Sequence, residues 1–176
     1  MKRPFFAALA LVLLWPALAS AQQKLGYVDA QFLLEQLPEY ADAQQRIDRM
    51  ARDWQEEIEE MQRDVDASFR DYQARELLFT QEERQRRRDA IIQEEERVEQ
   101  FRRQKFGPEG ELFQQQEALM RPIQERVLAA VDAVAEAEDY DFVFDKSGDL
   151  LFLYARDSHD LTDLVLEELG IRLDEQ

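Results

Sequence analysis

Apolar side chains recur along residues 47–72 at intervals of three and four, and most positions between them are Glu, Asp, Arg or Gln. An α-helix has about 3.6 residues per turn, so this spacing places the apolar positions on one face. The intervals form an 11-residue repeat, close to the period of a straight helix, so the face hardly drifts around the axis. The pattern predicts a long, straight helix that begins near Glu39. Its apolar face consists of Ile47, Met50, Trp54, Ile58, Met61, Val65, Phe69 and Tyr72.

A second and more polar helix is predicted to follow. Thr80 and Glu83 have the spacing of a capping box, in which each side chain bonds the backbone amide of the other residue. Along this helix Glu95 and Arg102 stand where large apolar side chains would be expected. We therefore predict an antiparallel helical hairpin over residues 39–106 that is mobile, because little apolar packing stabilises it.

The rest of the chain predicts a small mixed body. The Gly-Pro-Glu-Gly segment at 107–110 either ends the returning rod or kinks it, and beyond it a wide apolar stripe predicts a helix as far as Val134. Strand patterns occupy residues 24–29, 140–145 and 150–154. A last helix covers residues 165–169, and Gly170 is placed as its C-terminal stop. The predicted class is α+β, mostly α. A β-containing body of residues 22–38 and 107–176 carries a long antiparallel coiled-coil hairpin.

Residues 1–21 have the layout of a secretory signal peptide. A cationic start precedes an apolar run from Phe5 to Leu14, and Ala19 and Ala21 are the small residues that a signal peptidase recognises. The run is shorter than the ~20 residues of a membrane-spanning helix. We expect cleavage after Ala21 and export of the mature chain to the periplasm.

The amino-acid composition excludes several kinds of binding partner and several kinds of chemical site. The chain has 22 Lys and Arg against 39 Asp and Glu, and its net charge of -17 becomes -19 when Lys2 and Arg3 leave with the leader. This acidity argues against nucleic acid as a partner. The absence of cysteine excludes disulfides, zinc ribbons, iron–sulfur clusters, thiol nucleophiles and a lipoprotein-type lipid anchor. An exported chain without disulfides must be stabilised by packing, which favours a core shared between subunits.

No group of residues predicts catalysis. His159 is the only histidine, and the Ser-His-Asp segment at 158–160 is more simply explained as helix-capping sequence. Paired carboxylates such as Glu56 and Glu57 lie on a solvated helix face, whereas a hydrolase needs a cleft to hold such a pair. There is no phosphate-binding glycine loop. We expect no enzymatic activity, no metal and no cofactor.

Two features near the far end of the hairpin each allow two interpretations. Arg84 and residues 86–88 either pair with glutamates at helical spacing on their own helix, which we favour, or bind acidic groups of a partner. Leu77, Leu78 and Phe79 have no core to enter. They either close the hairpin or contact a client protein or a membrane.

With this layout the chain resembles the Skp/OmpH family of periplasmic chaperones. Residues 24–29 look like the first strand of the family, and residues 107–113 are similar to a variant found in some members. Residues 122–134, 140–145 and 160–169 look like its returning helix, strand and last helix. The resemblance implies a homotrimer whose strands build a shared body. Three helical tentacles would extend from it and enclose a cavity that holds unfolded outer-membrane proteins without ATP.

In such a fold the tentacle seam and tip form the expected client-binding surface. Loosely packed Met and aromatic side chains adapt to many sequences, and enclosure makes many weak contacts multivalent. The predicted client-binding residues are Met50, Trp54, Ile58, Met61, Phe69, Tyr72, Leu77, Leu78 and Phe79. The predicted oligomerisation residues of the body are Leu25, Tyr27, Val28, Ile123, Val127, Val131, Phe142, Phe144, Leu151 and Leu153.

The acidity departs from the family, whose familiar members are basic. A strongly negative surface repels lipopolysaccharide and anionic bilayers, so we do not expect lipid binding. The same rods could belong to a periplasmic scaffold or adaptor that bridges envelope components. A single apolar knob at the tip favours that scaffold, whereas apolar residues spread along the inner face favour the chaperone.

Overall fold

The computed structural model describes residues 23–148 and 153–172 of the chain. The leader, residues 1–21, and Leu151 therefore lie outside the described residues. None of the helices in these two stretches is long and apolar enough to cross a membrane. The elements in chain order are β1 (Leu25–Val28), α1 (Ala30–Glu35), α2 (Pro38–Arg75), α3 (Gln81–Phe106), α4 (Glu111–Ala137), β2 (Phe142–Asp145) and α5 (Thr162–Glu168), with 3₁₀ turns at Glu76–Leu78 and Asp157–His159.

Helices α2 and α3 lie side by side and run in opposite directions. Helix α2 has 38 residues. With a rise of about 1.5 Å per residue, its length is roughly 57 Å. Its first residue is Pro38, at a position where a proline forfeits no helical hydrogen bond. Tyr72 contacts Arg88 near the far end, and Trp54 contacts Phe106 nearer the base. These contacts establish the antiparallel pairing, whereas the supercoiling of a coiled coil stays a prediction.

Helix α4 continues along α2 beyond the Gly-Pro-Glu-Gly segment at 107–110. Gln44 Nε2 lies 4.0 Å from Met120 Sδ, and Arg126 pairs with Glu39 in the first turn of α2. The returning chain therefore accompanies α2 along most of its length. The segment breaks it into two helices, and the second still follows α2 to its base.

The core lies where the bases of α2 and α4 meet α1, α5 and one face of the sheet. Gly170 ends α5 with a φ of 79°. The Ile171 amide donates to the Leu166 carbonyl, as in a Schellman motif. The glycine stop predicted from the sequence is therefore present. The core consists of Val28, Leu33, Leu37, Ala43, Ile123, Val127, Ala130, Val134, Leu161, Val165, Leu166 and Leu169.

The sheet differs from the expected three strands. Within residues 23–148 and 153–172 it has two strands, β1 and β2, which are parallel with Leu25 opposite Phe142. Helices α1 to α4 separate them in the chain, and parallel neighbours require such a crossover. The third strand predicted at residues 150–154 is not formed at Leu153 and Tyr154, and its first part lies outside the described residues.

The hairpin tip depends on the capping box of α3, which is present as predicted. The Glu83 amide donates to Thr80 Oγ1, and the Thr80 amide donates to the Glu83 carboxylate at 2.9 Å. We expect Thr80→Ala to destabilise the first turn of α3 by about 1 kcal/mol. Hydrogen exchange should show faster exchange of amides in that turn, because the cap no longer opposes local opening.

Gln85→Ala is the matched control for the cap. It removes an exposed side-chain hydrogen bond, from Gln85 to Asp89, from the same helix and leaves the cap intact. Equal exchange rates in the Thr80→Ala and Gln85→Ala variants would contradict the assigned role of the cap.

Candidate functional site

Two leucines at the tip of the hairpin are exposed to solvent. Leu77 and Leu78 lie on the 3₁₀ turn Glu76–Leu78 and are 96% and 81% exposed. The next residue, Phe79, is half-buried and stacks on the Tyr72 ring at 6.3 Å between centroids. The three predicted tip residues therefore have different roles. Phe79 closes the hairpin, whereas Leu77 and Leu78 are exposed and available to a partner.

The arginines near the tip contact aromatic rings and the opposite helix. The Arg87 guanidinium lies 4.2 Å from the centre of the Phe79 ring and 4.0 Å from Asp71 on α2. Arg88 lies 6.0 Å from the centre of the Tyr72 ring, also on α2. Hydrogen bonds from Thr80 and, to a smaller extent, the charges of Arg86 and Arg87 lower the pKa of Glu83. The favoured pairing with glutamates of the same helix is therefore present for Arg87, and cation–π contacts with Phe79 and Tyr72 add to it at the tip.

The seam of α2 is only partly covered by α3. Ile58 and Tyr72 are buried between the helices, so these two predicted client-binding residues stabilise the hairpin in the single chain. Met50, Trp54 and Met61 are half-buried, and Phe69 is exposed. Of the nine predicted client-binding residues, those with accessible apolar surface are Met50, Trp54, Met61, Phe69, Leu77, Leu78 and Phe79.

A polar cleft opens between the two helices midway along the hairpin. Glu95 lies on its wall, at one of the positions where the sequence lacks a large apolar side chain. Like charges from both helices meet there, because Asp66 comes from α2 and Glu99 from α3. The cleft is lined by Gln62, Val65, Asp66, Glu95, Val98 and Glu99. Polar side chains therefore line part of the middle of the hairpin, although Val98 is buried there and Ile58 is buried nearby.

The outer face of the sheet carries exposed apolar side chains in the body. Leu25 and Phe142 are neighbours in the strand register, and neighbouring residues of paired strands point to the same face. Leu25 is exposed, Phe142 is 50% exposed, and Phe144 is exposed farther along β2. Leu153 is 90% exposed, and Leu151 lies outside the described residues. Leu25, Phe142 and Phe144 of the predicted oligomerisation set are therefore exposed on this face, and their contact with another chain stays a prediction.

The other predicted oligomerisation residues are inside the single chain. Val28, Ile123 and Val127 belong to its core, Val131 packs against that core, and Tyr27 is buried. Their apolar pattern indicated burial but not whether one chain or several would cover them.

Sequence reasoning also missed apolar residues that the structure exposes, namely Ile92, Phe113, Leu128 and Tyr154. Their types and spacing resemble those of the buried residues, so only the fold separates the two groups.

Lys146, directly after β2, links the sheet to α1 and to the start of α5. Its Nζ lies 3.2 Å from Asp160 Oδ2 and 3.8 Å from Asp29 Oδ2. Asp160 Oδ1 accepts a hydrogen bond from the Thr162 amide, and the Asp29 amide donates to Thr162 Oγ1. This network secures the start of α5 against β1.

Both charged partners of this network favour their ionised forms. Partial burial alone would raise the pKa of Asp160, but hydrogen bonds from Thr162 and Lys146 outweigh it and hold that pKa below its ordinary value of 3.8. Burial opposes the charge on Lys146 as well, but the hydrogen bond to Asp160 and the attraction of Asp160 and Asp29 raise its pKa. The pair is therefore charged at neutral pH.

The surroundings of His159 do not form a metal centre. His159 is exposed on the 3₁₀ turn Asp157–His159. Over residues 23–148 and 153–172 no group of three or more His, Asp or Glu side chains is placed to hold a metal ion. Asp160 accepts a hydrogen bond from the Thr162 amide. The N-cap residue of α5 is nevertheless Leu161, which makes no side-chain cap, so the predicted helix cap is not formed by Ser158, His159 or Asp160.

The described residues form a mostly helical α+β protein in which a small parallel sheet and a helical core carry a long helical hairpin. A family model described as outer membrane protein (OmpH-like) matches residues 24–169, and the chain therefore belongs to the OmpH-like family. The crystal structure of a Caulobacter crescentus CB15 protein, described as a putative OmpH-like outer membrane chaperone, has a similar fold. The TM-score is 0.69 over 89% of this chain and 95% of that chain, at 13% sequence identity. No curated protein matches the chain.

Because of the Lys146 network, the free energy of unfolding of the body should decrease when the pH becomes acidic. Asp160→Asn removes the carboxylate charge that faces Lys146, so we expect the free energy of unfolding at neutral pH to fall by about 1–2 kcal/mol. A carboxyl group with a depressed pKa in the folded state stabilises the fold above its unfolded pKa, and this contribution disappears as the pH falls through the folded pKa. Urea denaturation should therefore show the difference between parent and variant shrinking below about pH 4.

Asp48→Asn, at an exposed position on α2, is the control for the loss of one negative charge. It should leave the stability of the body nearly unchanged at every pH. A loss in Asp160→Asn that stayed constant down to about pH 2 would show that the charge on Asp160 contributes nothing.

Proposed function

We propose that the chain is an ATP-independent holdase chaperone of the periplasm, which binds unfolded outer-membrane proteins and prevents their aggregation. Membership of the OmpH-like family supports this proposal. The observation that carries it is the partly uncovered apolar seam of α2, which leads to two solvent-exposed leucines at the tip. Residues 1–21 serve as the cleaved signal peptide in this proposal.

The chaperone would hold its clients by weak apolar contacts along the hairpin. Phe69, Leu77 and Leu78 offer exposed surface, and Met50 and Met61 add flexible, half-buried thioethers. Flexible methionines adapt to many sequences, whereas rigid pockets select one. Several hairpins around one cavity would turn contacts of low affinity into multivalent retention.

Three chains would assemble through the outer face of the sheet. Leu25, Phe142 and Phe144 present apolar surface outside the core of the single chain. Exposed apolar surface on a soluble protein marks an interaction site. A homotrimer would cover this face and place three hairpins around a shared space.

The acidity of the chain limits the other partners. A net charge of -17 for the whole sequence repels phosphate groups of lipids and nucleic acids, so neither is part of the proposed function. No chemical step, metal or cofactor is needed for holding an unfolded chain.

A fixed-partner scaffold is the second candidate, and the well-ordered tip favours it. Leu77 and Leu78 project from a turn that is secured by Tyr72, Phe79 and Arg87. A rigid apolar knob of this kind suits one complementary pocket. The exposed Phe69, farther down the seam, favours the chaperone because a single knob does not explain it.

The holdase proposal is tested with two unrelated outer-membrane barrel proteins diluted from urea. Stoichiometric amounts of the chain should keep both clients soluble, as measured by light scattering. The triple variant Phe69→Ser, Leu77→Ser, Leu78→Ser should bind at least about tenfold more weakly, because each lost side chain removes apolar contact worth about 1 kcal/mol or more.

Leu128→Ser is the control, since Leu128 is an exposed apolar residue of α4 that lies on the body and not on the hairpin. It should hold clients as well as the parent. Aggregation of both clients in the presence of the parent chain would refute the holdase and favour the scaffold.

The trimer proposal is tested separately by molar mass. Multi-angle light scattering of the mature chain should give three times the mass of one chain. Phe142→Asp places a carboxylate on the outer face of the sheet and should shift the mass toward the monomer, because burying an unpaired charge is costly. Ile92→Asp, on the hairpin, should leave the mass unchanged, and a monomeric parent would refute the shared body.

A further inference from the structure

The break between α3 and α4 is a tightly built turn. The Gly107 amide donates to the Arg103 carbonyl at 2.9 Å, and the Gly110 amide donates to the Gly107 carbonyl at 2.8 Å. A Cβ on Gly110 would lie 2.7 Å from the Gly107 nitrogen and 2.8 Å from the Lys105 carbonyl oxygen, and a Cβ on Gly107 would collide with the Arg103 carbonyl. Backbone fills the space that side chains would need. The turn therefore has one compact shape rather than that of a loose linker.

Lys105, in the last turn of α3, connects all three long helices at this break. Its Nζ lies 4.6 Å from the centre of the Trp54 ring on α2 and 5.5 Å from the centre of the Phe101 ring on its own helix. The same ammonium pairs with the carboxylate of Glu111 in the first turn of α4. We call Lys105, Trp54, Phe101 and Glu111 the kink cluster. One cation thus contacts α2, α3 and α4.

The kink cluster is more sheltered than the other ion pairs of the hairpin. The Lys105 side chain is 15% exposed, the lowest value for any cation that forms a described ion pair. Arg97 with Glu94 is a solvated pair within one turn of α3, and such pairs contribute little. The helix dipoles add to the difference, because a cation at the end of α3 and an anion at the start of α4 are both favourably placed.

The angle between α3 and α4 and the curvature of α2 together set the position of the tip. Helix α3 has 26 residues. Its length is therefore roughly 39 Å, so a change of about 10° at the break moves the tip by about 7 Å. Helix α2 runs unbroken past the break and can only bend gently. A change of angle at the break must therefore bend α2, and it moves the Lys105 ammonium relative to Glu111 and the Trp54 ring.

We propose that the kink cluster is a latch that fixes the angle between the hairpin and its base, with Lys105 as the positioning residue. With the cluster intact, the angle between α3 and α4 is restricted to a narrow range, whereas α2 alone would restrict it less. Without the Lys105 charge, the turn at 107–110 keeps its hydrogen bonds but no longer has a cation that joins the three helices. This inference concerns geometry alone and does not depend on the chaperone activity.

The test is a distance measurement between the tip and the base. Because the chain has no cysteine, Gln85→Cys on α3 and Gln124→Cys on α4 provide two exposed sites for spin labels. Labelled chains are mixed with an excess of unlabelled chain, so that each assembly holds at most one labelled copy. Double electron–electron resonance then gives the distribution of tip-to-base distances.

Lys105→Met keeps the length and apolar body of the side chain but removes its charge. We expect it to broaden the distance distribution at least twofold or shift its mean by several ångströms, about the lever movement estimated from the helix length. Lys105→Arg keeps the charge and should restore the parent distribution. Arg97→Met removes the solvated pair with Glu94 from the same helix and should have no effect.

Circular dichroism must show parent-like helix content in each variant. If Lys105→Met loses its helices, Glu111→Gln replaces it, because that change removes only the anion from the more exposed side of the pair. Broadening in the folded variant supports the latch. A parent-like distribution in that folded variant overturns it, whatever the result of the holdase assay.

Discussion

Helix α2 carries a longer apolar seam than the rest of the chain can cover, and this imbalance shapes the molecule. Its 38 residues extend far beyond the body, and α3, which lies wholly in the described part of the chain, buries only Ile91 and Val98. At the base, α1, α4 and α5 supply the missing partners and complete a core. Farther out, Phe69 stays exposed and Met61 half-buried. The uncovered part of the seam is therefore a consequence of the chain's own composition, and it is the surface on which the proposed holding of clients depends.

Specific contacts stabilise the hairpin at its two ends, and its middle combines the buried Ile58 and Val98 with a polar cleft. At the tip, Phe79 contacts both the Tyr72 ring and the Arg87 guanidinium, beside the capping box of α3. Toward the base, Lys105 joins the three long helices. Between these points the helices enclose a cleft with carboxylates on both walls, which discourages closer packing at neutral pH. A rod of this kind keeps its length and direction while its central surface can still adapt.

Periodicity and capping chemistry predicted most of the elements, because both depend on neighbours within a few turns. The helix start at Pro38, the capping box at Thr80 and the stop at Gly170 all follow from local rules. The parallel pairing of β1 with β2 could not be predicted locally, because the partners are separated by all four of the first helices. The contacts of Arg87 and Lys105 could not be predicted from the sequence for the same reason. Each joins residues on different helices, and their register is set only by the complete fold.

The positions of the lysines and arginines in the structure explain where the excess of acidic side chains lies. Lys105, Lys146 and Arg126 each join separate elements, so these positive charges stabilise the fold. The unmatched carboxylates are left on solvated faces such as Glu56 and Glu57 of α2. At physiological ionic strength their repulsion is screened beyond about 8 Å. In the proposed chaperone they would keep neighbouring hairpins apart and soluble without preventing a client from touching the apolar seam. Capture of a client would then depend on the apolar area that becomes buried on binding. The incompletely covered seam of the hairpin supplies that apolar surface.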